Sequence, residues 1–135
     1  MTEPTSQQKY YEHSIAKKKR FVPIPVSKSD LREIKSLKNP PAFVKKVGKA
    51  FMIVMDEKSV TWEAVCRYLI NSSSVYGKIT TFPRNGLTEM QRAKLKDLVL
   101  EFNFTKIQQV SLPVSNLALW IQLVFDGANL KCVGL

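Results

Sequence analysis

The side chains best suited to chemistry in this sequence are basic ones that recur in two segments. Four consecutive cations, Lys17 to Arg20, lie near the start of the chain, and Lys45, Lys46 and Lys49 recur at close spacing further along. Ammonium and guanidinium groups attract carboxylates and phosphates through charge and hydrogen bonds. The pattern therefore predicts binding to an acidic surface.

Side chains for catalysis or cofactor binding are sparse. His13 is the chain's one histidine and lies in the polar N-terminal segment, so a mechanism that needs a fixed imidazole has no candidate. The sequence has no phosphate-binding glycine loop, zinc-protease motif or calcium loop, and Cys66 and Cys132 lie far apart without a metal-binding spacing. Asp97 and Glu101 have the ordinary spacing of a solvated helix face. We therefore expect neither enzymatic activity nor a cofactor.

The net charge narrows the class of partner. The 135 residues carry 21 Lys and Arg against 11 Asp and Glu, a formal charge of +10, with 13 basic and 6 acidic residues up to Lys58 and 8 and 5 after it. This balance favours a nucleic acid, an anionic membrane or an acidic protein. No stretch is long and apolar enough to span a membrane, and residues 1–8 are polar, so we expect a cytoplasmic location.

Helices must position these lysines. Length and composition, with 44% apolar and 24% charged residues, indicate one globular domain. Ser29 is the predicted cap of a short amphipathic helix that ends before Pro40 and Pro41. A longer helix is predicted from a cap at Asn39, with both prolines in its first turn, to about Met55. Its apolar stripe comprises Phe43, Val44, Val47, Ala50, Phe51 and Val54, and the three lysines fall nearly opposite.

Further cap signals predict the helices of the second half. They are Thr61, the capping-box pairs Thr88 with Gln91 and Thr105 with Gln108, and Ser111 ahead of a last helix that Gly127 can end. Residues 71–74 are a breaker cluster, residues 75–81 hold a short helix or a turn, and residues 82–86 form a loop. We predict an all-α bundle of five or six helices over residues 27–127, a flexible basic arm (1–26) and a tail (128–135).

The order of these motifs resembles the microtubule-binding domain at the stalk tip of dynein heavy chains. Residues 30–37 (DLREIKSL) followed by 39–42 (NPPA) are similar to the end of that family's incoming stalk strand and the start of its first helix. The later landmarks follow in the same order: Thr61-Trp62, Phe82-Pro83, Phe102-Asn103-Phe104, and Ser111-Leu112 ahead of Leu119-Trp120. The similarity spans Ser29 to Phe125.

The resemblance implies a small helical bundle that binds tubulin through basic residues of its first helix. Lys45 falls where the family places such a contact, and neighbouring cations extend it. Gln109 and Leu119 stand where the family commonly has an arginine and a lysine, and Pro23 and Pro25 replace any heptad pattern ahead of the domain. We therefore expect a divergent domain without the coiled-coil stalk.

Three functions remain open. The first is a non-enzymatic microtubule-binding module of the cytoskeleton, including that of a cilium or flagellum. Its predicted contact residues are Lys38, Lys45, Lys46, Lys49, Arg84 and Lys106. The second is the same fold bound to another dynein, cytoskeletal or axonemal partner, with weak or no tubulin binding. Nucleic-acid binding ranks last because the aromatic residues fall on apolar stripes instead of beside cations, and a membrane partner is not expected.

Overall fold

The computed structural model describes residues 22–128 and 130–131, and seven helices dominate this part of the chain. They are α1 (Lys28–Lys35), α2 (Ala42–Val54), α3 (Trp62–Tyr68), α4 (Ser72–Thr80), α5 (Glu89–Leu100), α6 (Phe104–Val110) and α7 (Leu112–Phe125). Two-residue strands β1 (Val22–Pro23) and β2 (Leu130–Lys131) pair in parallel. The predicted all-α class is confirmed. The described helices exceed the predicted five or six because the supposed breaker cluster at residues 71–74 contains the start of α4.

Side-chain caps begin several helices where the sequence indicated them. Thr61, Thr88 and Ser111 each accept a hydrogen bond from the backbone N–H three residues further on, and Gln91 completes the capping box with Thr88. Gly127 follows α7 with φ +76°, a left-handed conformation that glycine adopts without steric cost. These four positions confirm the predicted caps.

The predicted caps of α1 and α6 were wrong. Ser27 caps α1 instead of Ser29, because the Ser27 hydroxyl accepts from Asp30 N while the Asp30 carboxylate accepts from Ser27 N. Asn103 caps α6 instead of Thr105, through a 3.1 Å hydrogen bond from the backbone N–H three residues further on. In both cases the helix begins earlier than predicted.

Helix α2 lies at the centre of the core. Its predicted stripe is buried except for Phe43, which is half-buried, and Gly48, Met52 and Ile53 are buried as well. Phe51 meets Trp120 of α7 edge to face, with ring centroids 6.1 Å apart. Burial of so much of the helix surface leaves the lysine side as the main solvent-exposed face of α2.

The core extends beyond the predicted domain limits. Val26 is 2% exposed and Ile24 packs against the core, although both belong to the predicted flexible arm. At the other end, Ala128 is buried and Leu130 belongs to β2, within the predicted tail. The folded part therefore includes residues on both sides of 27–127. Residues 1–21, with the basic run Lys17 to Arg20, lie outside the described part.

Candidate protein-binding face

Two of the predicted site residues, Lys38 and Lys45, lie at the corner between α1 and α2. Helix α2 begins at Ala42 after Pro41, which makes no side-chain cap hydrogen bond, so the prediction that Asn39 caps this helix was wrong. The Asn39 side-chain oxygen instead accepts a 3.4 Å hydrogen bond from Lys45 Nζ. This contact brings the Lys45 ammonium group to the corner that carries Lys38, and both lysines are exposed.

Lys46 is exposed but has an acidic partner. Its Nζ lies 2.7 Å from Glu101 Oε2, and the two side chains are 49% and 54% exposed. A pair this exposed contributes at most about 1 kcal/mol to stability, since water and salt screen it. Glu101 caps the C-terminus of α5 and was predicted as part of an ordinary solvated face. Glu101 is exposed, as expected of a solvated face, and it also offsets one charge of the lysine face.

Lys49 lies one turn further along α2, beside a groove between α2 and α5. The groove has a volume of about 740 Å³, with Ile53 and Leu98 among its apolar lining residues. Its charged lining residues are Lys49, Lys58 and Lys94 together with Asp56, Glu57 and Asp97. Three cations and three acids leave the groove without net charge. Lys49 therefore adds less to a basic surface than its position on the helix indicated.

Lys106 joins the face from α6. Its Nζ lies 5.8 Å from the centroid of the Phe43 ring, a cation–π contact that places it at the N-terminal end of α2. Lys106 is exposed and has no acidic partner among the described residues. The N-terminal half of α2 thus brings together Lys38, Lys45, Lys46 and Lys106, which we call the basic face.

Arg84 has a separate environment. It lies in the loop after α4, and its Nε donates a 3.0 Å hydrogen bond to Gly127 O at the C-terminal end of α7. Within the described ranges, this bond links Arg84 to the end of α7 and not to the basic face. The structure therefore gives Arg84 a contact that supports loop packing.

Exposed apolar side chains next to the basic face were missed by sequence reasoning. Val110 at the end of α6 is 43% exposed, and Leu112 and Leu119 on α7 are 52% and 40% exposed. Helix α7 is apolar almost all round, so hydrophobicity alone does not separate its buried from its exposed leucines. The available signal was position: Leu112 and Leu119 lie outside the helical stripe of buried residues, which comprises Val114, Leu117, Ala118, Ile121 and Val124.

The described residues offer little for covalent or metal chemistry. Cys66 is half-buried, and burial raises the pKa of its thiol. The structure shows no group of three or more potential metal-ligating side chains in its described part. Nor does any helix there combine the length and hydropathy that a bilayer crossing requires.

Comparison with known proteins gives a distant link to dynein. The chain is 21% identical over 98 residues, 70% of its length, to the cytoplasmic dynein heavy chain of Drosophila melanogaster. It spans about 2% of the length of that protein. No protein-family model and no solved structure matches the chain. The similarity relates the chain to a small part of a dynein heavy chain.

Proposed function

We propose that this chain is a non-enzymatic microtubule-binding module of the cytoplasmic cytoskeleton, including that of a cilium or flagellum. The observation that carries the proposal is the clustering of Lys38, Lys45, Lys46 and Lys106 around the N-terminal half of α2. The distant similarity to a dynein heavy chain, together with the resemblance of the motifs to a stalk-tip domain, supports tubulin as the acidic partner.

The surroundings of the individual lysines support this proposal beyond what the net charge of the chain indicates. Lys45 is hydrogen-bonded to a neutral amide and Lys106 lies over an aromatic ring, so within the described residues no acidic side chain offsets either cation. Lys46 must either break its ion pair with Glu101 or contact the filament while still paired with Glu101. The basic face therefore has unequal members, and Lys45 and Lys106 are the strongest candidates for contact with the filament.

Co-sedimentation with microtubules tests the proposal. The double variant Lys45→Glu/Lys106→Glu replaces two free cations by acids, and we expect about 10- to 100-fold weaker binding from lost attraction and new repulsion. Glu101→Gln removes the acid that holds Lys46, and we expect it to strengthen binding a few-fold at low ionic strength.

A matched control separates the basic face from net charge. Lys78→Glu/Lys96→Glu makes the same change in net charge at exposed positions on α4 and α5 outside the basic face, and should bind within about twofold of the parent chain. Circular dichroism should show parental helix content in every variant. Equal weakening by both double variants would mean that net charge, and not this face, drives association.

A further inference from the structure

A second pocket lies between α5 and α7, on the side of α5 opposite to its groove with α2. Its volume is about 510 Å³, and its apolar lining residues are Val99, Leu100, Phe102 and Phe125. Leu100, the last residue of α5, is 75% exposed, more than any other large apolar side chain in the described part of the chain. Apolar side chains exposed together are typical of interaction surfaces. We call this surface the α5–α7 pocket.

The aromatic walls of the α5–α7 pocket are held in place by contacts within the chain. Phe102 meets Phe104 edge to face, with ring centroids 6.0 Å apart. The Arg92 guanidinium carbon lies 4.6 Å from the centroid of the Phe125 ring. Phe102 and Phe125 are half-buried and pack against the core, whereas Leu100 is mostly exposed. The surface therefore combines fixed apolar walls with one projecting leucine.

The charged residues that line the pocket identify the kind of partner that fits it. They are Lys96 on α5 and Asp126 directly after α7. Gln122 Nε2 donates to both oxygens of the Asp126 carboxylate, at 3.2 and 3.3 Å, and so fixes its position. Neither Lys96 nor Asp126 has an ion-pair partner within the described residues. One cation on one side and one acid on the other make the surface complementary to itself, because a two-fold axis can place each opposite the other.

We propose that two copies of this chain associate about a two-fold axis through the α5–α7 pocket. Lys96 of each copy then faces Asp126 of the other, and Leu100 of each copy covers the apolar walls of the other pocket. No residue of the basic face lines this pocket, so the basic face stays free. An interface centred on one pocket of this size is small, and we expect the dimer to form only at micromolar concentrations or above. At lower concentrations the chain is monomeric, and loss of the dimer then leaves microtubule co-sedimentation unchanged.

Salt distinguishes this association from the binding of an acidic partner. Each copy carries a formal charge of +10, so two copies repel each other beyond the pocket itself, and salt screens this repulsion. The exposed ion pairs of the interface are individually weak and lose less when salt is added. The dimer should therefore tighten several-fold between about 50 and about 300 mM salt. Binding of an acidic partner to the same chain should weaken over that range.

Sedimentation equilibrium of the full chain over a range of concentrations tests the contact. Leu100→Gln should raise the dissociation constant of the dimer about 10- to 50-fold, because the apolar contact is lost twice per dimer. Met90→Gln is the matched control, since it removes a 68% exposed apolar side chain from the start of the same helix, and it should leave the constant unchanged. Circular dichroism should show parental helix content in both variants.

Charge reversal tests the pairing across the two-fold axis. Lys96→Glu and Asp126→Lys each place like charges opposite each other twice per dimer, and each should weaken the dimer about tenfold. The combined variant Lys96→Glu/Asp126→Lys restores opposite charges at unchanged net charge and should dimerise as the parent chain does. Lys94→Glu makes the same change in net charge as Lys96→Glu at an exposed position of α5 outside the pocket, and should not weaken the dimer.

The arrangement also predicts how the two single variants behave together. In an equimolar mixture, Lys96→Glu chains should form heterodimers with Asp126→Lys chains at concentrations where neither variant dimerises alone. A parent chain that stays monomeric up to millimolar concentration would overturn the inference, and so would a dimer that Leu100→Gln leaves intact. A combined charge-reversal variant that dimerises no more tightly than the single variants would overturn it as well.

Discussion

Replacement of glycine by alanine at two helical positions should change stability in opposite directions. Gly48 lies inside α2 and is buried, and a Cβ there would stand 2.8 Å from Trp62 Cζ3 and 3.0 Å from Val65 Cγ2. Gly77 lies inside α4, and beyond its chain neighbours and its own helix backbone a Cβ there would meet no atom of the described residues within 4 Å. The same change in helix propensity is thus combined with a clash at one position and with open space at the other.

The magnitudes follow from these distances. In a helix interior, alanine is more stabilising than glycine by about 0.5–1 kcal/mol, which is the expected gain for Gly77→Ala. At Gly48 the indole ring cannot withdraw freely, because Trp62 Nε1 donates a 2.9 Å hydrogen bond to Leu37 O. Overpacking of this kind costs about 1–3 kcal/mol. We expect Gly48→Ala to lower the free energy of unfolding by about 1–2 kcal/mol after the propensity gain.

Urea and thermal denaturation followed by circular dichroism measure both effects. For a domain of this size each kcal/mol corresponds to roughly 3–6 °C in Tm, so the two variants should differ in Tm by several degrees. A Gly48→Ala variant as stable as the parent chain would refute the packing of α3 against α2. It would also refute the rotation of α2 that points Lys45 and Lys46 outward, because one rotation sets both faces.

Two further predictions test local interactions. Gln91 is buried, and its Nε2 donates hydrogen bonds to Ile53 O and Val54 O. Gln91→Ala should therefore lower the free energy of unfolding, measured in urea, by about 2–3 kcal/mol. A loss below about 0.5 kcal/mol would contradict these bonds. Burial raises the pKa of the Cys66 thiol, so less reactive thiolate is present in the folded chain. In a Cys132→Ser background, iodoacetamide near pH ~8.5 should therefore alkylate Cys66 more slowly in the folded chain than in the urea-unfolded chain. Equal alkylation rates would contradict this prediction.

The sequence predicted helices well where the deciding residues favour only one local structure. The apolar stripe of α2 and the Thr88–Gln91 capping box depend on residues within a turn or two of each other, so they could be read along the chain. Asn71 caps α4 but was predicted to belong to a helix-breaking cluster, because asparagine and serine favour both helix breaks and helix starts. At α1 the deciding signal was present: Asp30 lies three residues after Ser27, which is the spacing of a capping box.

The candidate site was predictable only in part. Periodicity placed Lys45 and Lys46 on the outer side of α2, and the structure agrees. The partners of these lysines depend on tertiary packing: Glu101 lies 55 positions from Lys46, and the contact between Phe43 and Lys106 joins two helices. No local pattern encodes such contacts. The sequence therefore indicated which groups carry charge, but not which of those charges are already neutralised.

The unequal lysines limit how the face can bind. Exposed ion pairs contribute at most about 1 kcal/mol each, so Lys38, Lys45 and Lys106 together reach about 3 kcal/mol, whereas micromolar binding requires about 8 kcal/mol. Charge of this kind mainly steers and orients a partner. The basic face alone therefore orients a partner, and a micromolar complex would need further contacts outside it.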